Sequence, residues 1–141
     1  MIKKTLAGLA AVAMLFPGSL VKAQVPPTCS FYLTAKNGDK SSGYVLVYVN
    51  WDYSKSRASV KPTSVTIYNY TGRSITFIND RWQNSSGTTV QRGIAGEIPN
   101  NSSRAWYPTA WIPKTENPYV QVSASATTRP GLGGSTKCRN Y

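Results

Sequence analysis

After residue 23 the chain never repeats apolar residues at helical spacing; short alternating runs separated by turn residues recur instead. These runs cover residues 31–35, 44–51, 63–70, 74–79, 88–92, 103–107 and 119–126. In the second, Val45, Val47 and Val49 alternate with Tyr44, Leu46 and Tyr48, the pattern of a central strand covered on both faces. In the third, Val65 and Ile67 oppose Thr66, Tyr68 and Tyr70. The turn Thr71-Gly72-Arg73 then leads to Ile75 and Phe77, so the third and fourth runs read as a hairpin. Val120, Val122 and Ala124 are in phase in the last run. Turn chemistry fills the gaps: Asn37-Gly38-Asp39, Asn84-Ser85-Ser86-Gly87 and Pro99-Asn100-Asn101. The glycine-rich stretch 129–135 lacks the Lys-Ser/Thr ending of a phosphate-binding loop and reads as a plain loop. The pattern predicts an all-β chain, a single antiparallel β-sandwich or small barrel of about seven short strands.

The N-terminus reads as a signal peptide of the bacterial type. Lys3 and Lys4 precede an apolar run at residues 6–16. Pro17-Gly18 breaks it, and Val21-Lys22-Ala23 places small residues at −3 and −1 of a cleavage site before Gln24. The apolar run is too short to span a bilayer, which needs about 20 residues. Residues 1–23 are therefore expected to be removed, leaving residues 24–141 as one exported domain, periplasmic or secreted. Cys29 and Cys138, the only two cysteines, lie near the ends of that domain. In an oxidising compartment they are expected to form one disulfide that closes almost the whole chain.

The chain contains no histidine, which removes the commonest general base, proton shuttle and metal ligand together. Ser-His-Asp and Cys-His catalysis are excluded, and neither a metal nor a cofactor is expected. Carboxylate-pair glycoside hydrolysis would need two of Asp39, Asp52, Asp80, Glu97 and Glu116, for instance Glu97 with Glu116. Non-catalytic binding is the stronger expectation. Removal of Lys3, Lys4 and Lys22 leaves 13 basic residues against 5 acidic ones, a net charge of +8. That surplus favours an anionic partner: lipid head groups, lipopolysaccharide, an acidic glycan or an acidic protein. The basic residues are dispersed, so no nucleic-acid arm is expected.

Four Trp and nine Tyr supply the contact chemistry. The densest segment, residues 104–119, holds Trp106, Tyr107 and Trp111, flanked by Arg104 and Lys114 and interrupted by Pro108, Pro113 and Pro118. Prolines at that spacing predict a stiff surface loop or edge. Its rings could stack on sugars or sit at head-group level while the cations meet phosphate. The alternative is that Trp106 and Trp111 plug an open end of the sandwich. Arg81 and Trp82, among Asn79, Asp80, Gln83 and Asn84, form a second candidate contact suited to glycan hydroxyls.

The order of SVTIYNYTGRSITFIN, IPNNSS and WYPTAWIPKTEN resembles the aegerolysins, small lipid-binding β-sandwich proteins, over less than half of residues 24–141. Where that family carries Trp-Asp-Cys-Pro-Trp, this chain has Pro108-Thr109-Ala110-Trp111. The resemblance implies binding at a membrane surface. The expected function is thus exported, non-catalytic recognition of an anionic surface through Trp106, Tyr107, Trp111, Arg104, Lys114, Trp82 and Arg81. The alternative is a periplasmic inhibitor or immunity protein that blocks a partner enzyme.

Overall fold

A computed structural model describes residues 28–141, so the expected signal peptide (residues 1–23) and the cleavage point before Gln24 lie outside the described residues. In chain order the strands are β1 (Thr28–Phe31), β2 (Tyr44–Ser54), β3 (Ser59–Tyr70), β4 (Ile75–Gln83), β5 (Val90–Arg92), β6 (Glu97–Ile98), β7 (Ser103–Trp106), β8 (Ile112–Pro113), β9 (Tyr119–Ala126) and β10 (Arg129–Cys138). Single 3₁₀ turns at Lys55–Arg57 and Lys114–Glu116 join them at one end. All pairings are antiparallel. One sheet runs β1-β2-β3-β7, with β8 also on β3; the other runs β10-β9-β4-β5, with β6 also on β4. The two face each other as a β-sandwich. Seven strands have four residues or more, and the other three are short additions at the sheet edges.

The core is built by the inward halves of the alternating runs. Val45, Val47 and Val49 of β2 and Val65 and Ile67 of β3 meet Ile75 and Trp82 of β4 and Val120, Val122 and Ala124 of β9, all fully buried. Burying each larger apolar side chain contributes about 1.5 to 3 kcal/mol. β9 occupies residues 119–126, as its valine spacing predicts.

Three expectations need correction. β3 and β4 are not a hairpin; they belong to different sheets. Period-two alternation states which side chains turn inward, and two strands facing one core from opposite layers satisfy it as well as two neighbours do. The chain crosses between layers at Asn69, whose carboxamide is fully buried and fully used. Its Nδ2 donates to the carbonyls of Arg73 (2.6 Å) and Ile98 (2.9 Å), and its Oδ1 accepts from the Thr71 N–H (3.0 Å) and hydroxyl (2.7 Å). β2 is central, but only its valine face is sealed; Tyr44 keeps 40% of its surface exposed, and Leu46 and Tyr48 are half-buried. Tyrosine tolerates that half-wet position because its ring is apolar and its hydroxyl is not.

The glycine-rich stretch is a strand rather than a loop. β10 bulges between Arg129 and Gly133 and then pairs with β9 through Cys138. A Cβ at Gly134 would collide with the Tyr32 carbonyl and the Phe31 ring, so the glycines permit β10 to lie against the first strand's continuation. There Thr34 and Gly133 exchange backbone hydrogen bonds (2.8 and 3.2 Å).

The disulfide forms as expected. Cys29 on β1 and Cys138 on β10 lie at the edges of the two sheets, with Cα atoms 5.9 Å apart and a sequence separation of 109. It closes one long side of the sandwich. Replacing both with serine is expected to cost about 4 to 5 kcal/mol by the loop-entropy argument. A urea titration of Cys29→Ser/Cys138→Ser beside the oxidised protein measures it, and equal midpoints would show the bond to be dispensable.

Candidate anion-binding site

The second long side is closed without a covalent bond. Trp106, at the end of β7, is 7% exposed and points between the sheets, where its Nε1 donates to Asp80 Oδ1 of β4 at 3.1 Å. Gly93 leaves room for this contact, since a Cβ there would sit 2.5 Å from the Trp106 ring and 2.7 Å from the Asp80 carboxyl. The following loop is pinned across the gap. Trp82 Nε1 donates to the Ala110 carbonyl (2.8 Å), and Gln91 Oε1 accepts from the N–H groups of Thr109 (2.9 Å) and Ala110 (3.0 Å).

The sequence-derived site is therefore divided. Trp82 is fully buried and Trp106 nearly so; both rings are core, because their indole N–H groups find internal acceptors and their faces fill the space between sheets. The segment expected to be a surface loop is one only in part. Tyr107 remains 68% exposed on the closed side. Arg104 is exposed there too, its Nη1 donating to the Ala95 carbonyl at 3.4 Å. Arg81 is half-buried on β4, opposite Arg92 of β5 and Gln121 of β9. Trp111 and Lys114 lie elsewhere.

Those two residues belong to the end of the sandwich where the 3₁₀ turns gather. Lys114 N–H bonds the Ala58 carbonyl at 3.0 Å, joining the two turns. Arg57 and Lys61 both lie over the half-buried Trp111 ring, at 5.1 and 5.0 Å from its centroid, which places the two charges within about 10 Å of each other. Lys114 lies over both Tyr53 (5.2 Å) and Tyr141 (5.7 Å). Lys137 and Arg139 both lie over Tyr119, at 5.0 and 4.8 Å. Arg139 also reaches the Ser85 hydroxyl at 3.2 Å, and Tyr141 donates its hydroxyl to the Pro118 carbonyl at 3.1 Å. Burial raises the Tyr141 phenol above its ordinary range, against the pull of the nearby Arg139 charge.

Five cations thus converge on four aromatic rings. Two side-chain carboxylates are near, and both are engaged by neutral donors. Asp52 accepts the Tyr53 N–H at 2.9 Å, and Glu116 accepts Asn84 Nδ2 at 2.7 Å. None of the five cations has an ion-pair partner among the described residues. Sequence reasoning missed Tyr53, Arg57, Lys61, Tyr141, Lys137 and Arg139. For the last two a signal existed: alternation around the inward Cys138 sends its neighbours outward.

Glu97 and Glu116, the pair named from the sequence, are not brought together. Glu97 pairs across from Thr76 near the start of β4, and Glu116 holds Asn84 just beyond its end. Eight residue steps along the strand, about 26 Å at roughly 3.3 Å per residue, separate those positions.

Comparison with known proteins yields little. No family model and no curated protein matches the chain, so the likeness to aegerolysins has no family-level support. Among solved structures, the X-ray structure of Northeast Structural Genomics Consortium target SoR45 is similar over 79% of each chain, at 10% identity and a TM-score of 0.38. That likeness is too low to carry an argument.

Asp80 generates a test of the non-covalent closure. It is 7% exposed, its Oδ2 has no hydrogen-bond partner, and burial raises its pKa to about 7 despite the opposing hydrogen bonds from Trp106 and Ile94. The folded protein then holds a proton that the unfolded chain loses near pH 3.8. Stability accordingly falls as pH rises from about 4 to about 7, by at most ~4 kcal/mol, and levels off above. With no histidine to titrate, that window is nearly clear. Asp80→Asn keeps the oxygen that accepts Trp106 Nε1 and cannot ionise. Its urea midpoint should stay flat from pH 4.5 to 8 while the parent's declines; parallel curves would place the titration elsewhere.

Proposed function

We propose that this chain is an exported, non-catalytic binding protein that docks on phosphate-bearing amphiphile surfaces, such as anionic phospholipids or lipopolysaccharide, through the end built around Trp111 and Lys114. The observation that carries this reading is the convergence of Arg57 and Lys61 on one half-buried indole, with no ion pair to either among the described residues. Like charges held this close repel, and an anion placed among them relieves the repulsion while gaining charge-assisted hydrogen bonds. Trp111, Tyr53 and Tyr141 supply rings that are apolar at one edge and polar at the other, suited to head-group depth. Each Lys or Arg close to an anionic surface is worth about 1 kcal/mol.

The signal peptide and the disulfide support placement outside the cytoplasm, in the periplasm or beyond the cell. The two candidate residues retained from sequence, Trp111 and Lys114, are joined in this site by partners from β2, β3, the first 3₁₀ turn and the C-terminal segment. Trp106 and Trp82 act behind it by fixing the loop that presents Trp111.

Cosedimentation with phosphatidylglycerol vesicles tests the reading. The protein should bind them in low salt, release them in high salt, and leave phosphatidylcholine vesicles untouched. Arg57→Ala/Lys61→Ala should weaken binding roughly ten- to thirtyfold, and Trp111→Ala should weaken it with little change in the salt dependence. Binding that ignores lipid charge or these substitutions would reject the site. A 1:1 complex with a single enzyme, combined with no affinity for vesicles, would favour the inhibitor reading instead.

A further inference from the structure

The opposite end of the sandwich carries a second arrangement of charge and rings. A cavity of about 430 Å³ opens between the segment 39–42, the turn after β3 and the start of β10. Lys40, Arg73 and Arg129 line it together with the hydroxyl of Ser42. None of the three cations has an ion-pair partner among the described residues. The one carboxylate in the wall, Asp39, accepts a hydrogen bond from Asn37 Nδ2 at 2.9 Å.

The walls of this cavity run directly into a row of tyrosines. Ser42 and Gly43 lead into Tyr44, and the turn at Thr71 follows Tyr70; these two tyrosines face each other across the β2–β3 ladder with ring centroids 5.6 Å apart. Tyr68 stacks beside Tyr70, with centroids 6.0 Å apart and planes 8° from parallel. Leu46 and Tyr48 continue the row on β2. From the Tyr44–Tyr70 pair to the Asn50–Ser64 pair, every outward residue of β2 and β3 is uncharged. The outward residues of the flanking strands are small: Thr28 and Ser30 on β1, Ser103 and Ala105 on β7.

We propose that this surface binds an acidic saccharide. Its uncharged ring faces lie over the tyrosine row, and a carboxylate, sulfate or phosphate substituent enters the cavity between Lys40, Arg73 and Arg129. Three points on this surface favour that occupant. Flat rings bordered by hydroxyls match a ligand with apolar ring faces and hydroxylated edges. The cavity supplies positive charge and hydroxyls at one end of the row only, which matches a ligand bearing its charge as a substituent on a neutral body. A second copy docked with its cavity against this one would bring three more cations toward these three, and like charge opposes that pairing.

The site is remote from Trp111, so it stands or falls apart from vesicle binding. Affinity electrophoresis in polygalacturonate, with its fully methyl-esterified form as the neutral control, provides the test. It is run on an Arg57→Ala/Lys61→Ala background to weaken the other cationic end. The expected result is retardation by polygalacturonate that Arg73→Ala/Arg129→Ala weakens by about tenfold, that Tyr44→Ala/Tyr68→Ala weakens similarly, and that esterification weakens to the same degree. Phosphatidylglycerol vesicles should bind Arg73→Ala/Arg129→Ala as well as the parent. No retardation, retardation indifferent to either pair, or equal retardation by the ester would overturn the proposal. Self-association lost on Tyr44→Ala/Tyr68→Ala would overturn it in favour of a contact between copies.

Discussion

The covalent bond between Cys29 and Cys138 ties the outer strand of one sheet to the outer strand of the other, and the rest of the core is arranged around that seam. β1 is only four residues long and pairs with one neighbour, and β10 is glycine-rich and bulged. Neither would hold an edge unaided, because short or glycine-weakened strands contribute few ladder bonds and little side-chain packing. Linked to each other and continued by the Thr34–Gly133 bridge, they become one closed side. The opposite side relies on Trp106 against Asp80 and on the loop held by Trp82 and Gln91. A neutral hydrogen bond contributes about 0.5 to 1.5 kcal/mol, and one to an ionised Asp80 about 1.5 to 3 kcal/mol, each less than the covalent seam. The Trp106 side is therefore the softer one, and it is also where burial has left a carboxyl oxygen without a partner.

Closing both long sides decides what remains for recognition. The two ends and the outer sheet faces are left, and eight of the cations gather at the ends, five around Trp111 and Tyr119 and three around the cavity by Arg73. The pinning hydrogen bonds then acquire a second role. Trp111 follows directly on Ala110, whose N–H and carbonyl are both held by the second sheet. Its ring is thus presented with little conformational freedom left to lose, and preorganisation of this kind lowers the entropic cost of binding. Of the three tryptophans that the sequence offers as contacts, Trp82 and Trp106 hold the loop that carries the third, Trp111, on which the proposed site is centred.

How much of this was legible depends on the range of the interaction. Strand identity was readable wherever one short run carried its own pattern, as at Val120, Val122 and Ala124, and the disulfide followed from the presence of only two cysteines. Which sheet a strand joins was not readable, because Val65 and Ile75 turn inward from opposite layers and only the buried corner at Asn69 separates an arch from a hairpin. A run of glycines signals flexibility locally, whereas Gly134 is required by a strand about a hundred residues earlier. The aromatic segment misled for the same reason. Whether Trp106 or Trp111 faces solvent depends on Gly93, Asp80 and Lys61, none of which is near either residue in the chain.

The charge balance takes its meaning from where the few acids go. Asp39, Asp52, Asp80 and Glu116 each accept from a neutral donor: an amide side chain, a backbone N–H, an indole N–H and a second amide. The basic side chains at the two ends have no ion pair among the described residues; the five around Trp111 and Tyr119 lie over aromatic faces, and Arg139 also bonds the Ser85 hydroxyl. An exposed cation over a ring gains about 0.5 to 1 kcal/mol, whereas a cation hydrogen-bonded to phosphate or carboxylate gains roughly twice the energy of a neutral hydrogen bond. An arriving anion can therefore take these cations without first breaking an ion pair. A surface designed only for solubility has no such requirement, since pairing some of its charges would leave it equally soluble. The engagement of the nearby acids by neutral donors, more than the size of the positive surplus, is what the binding reading rests on.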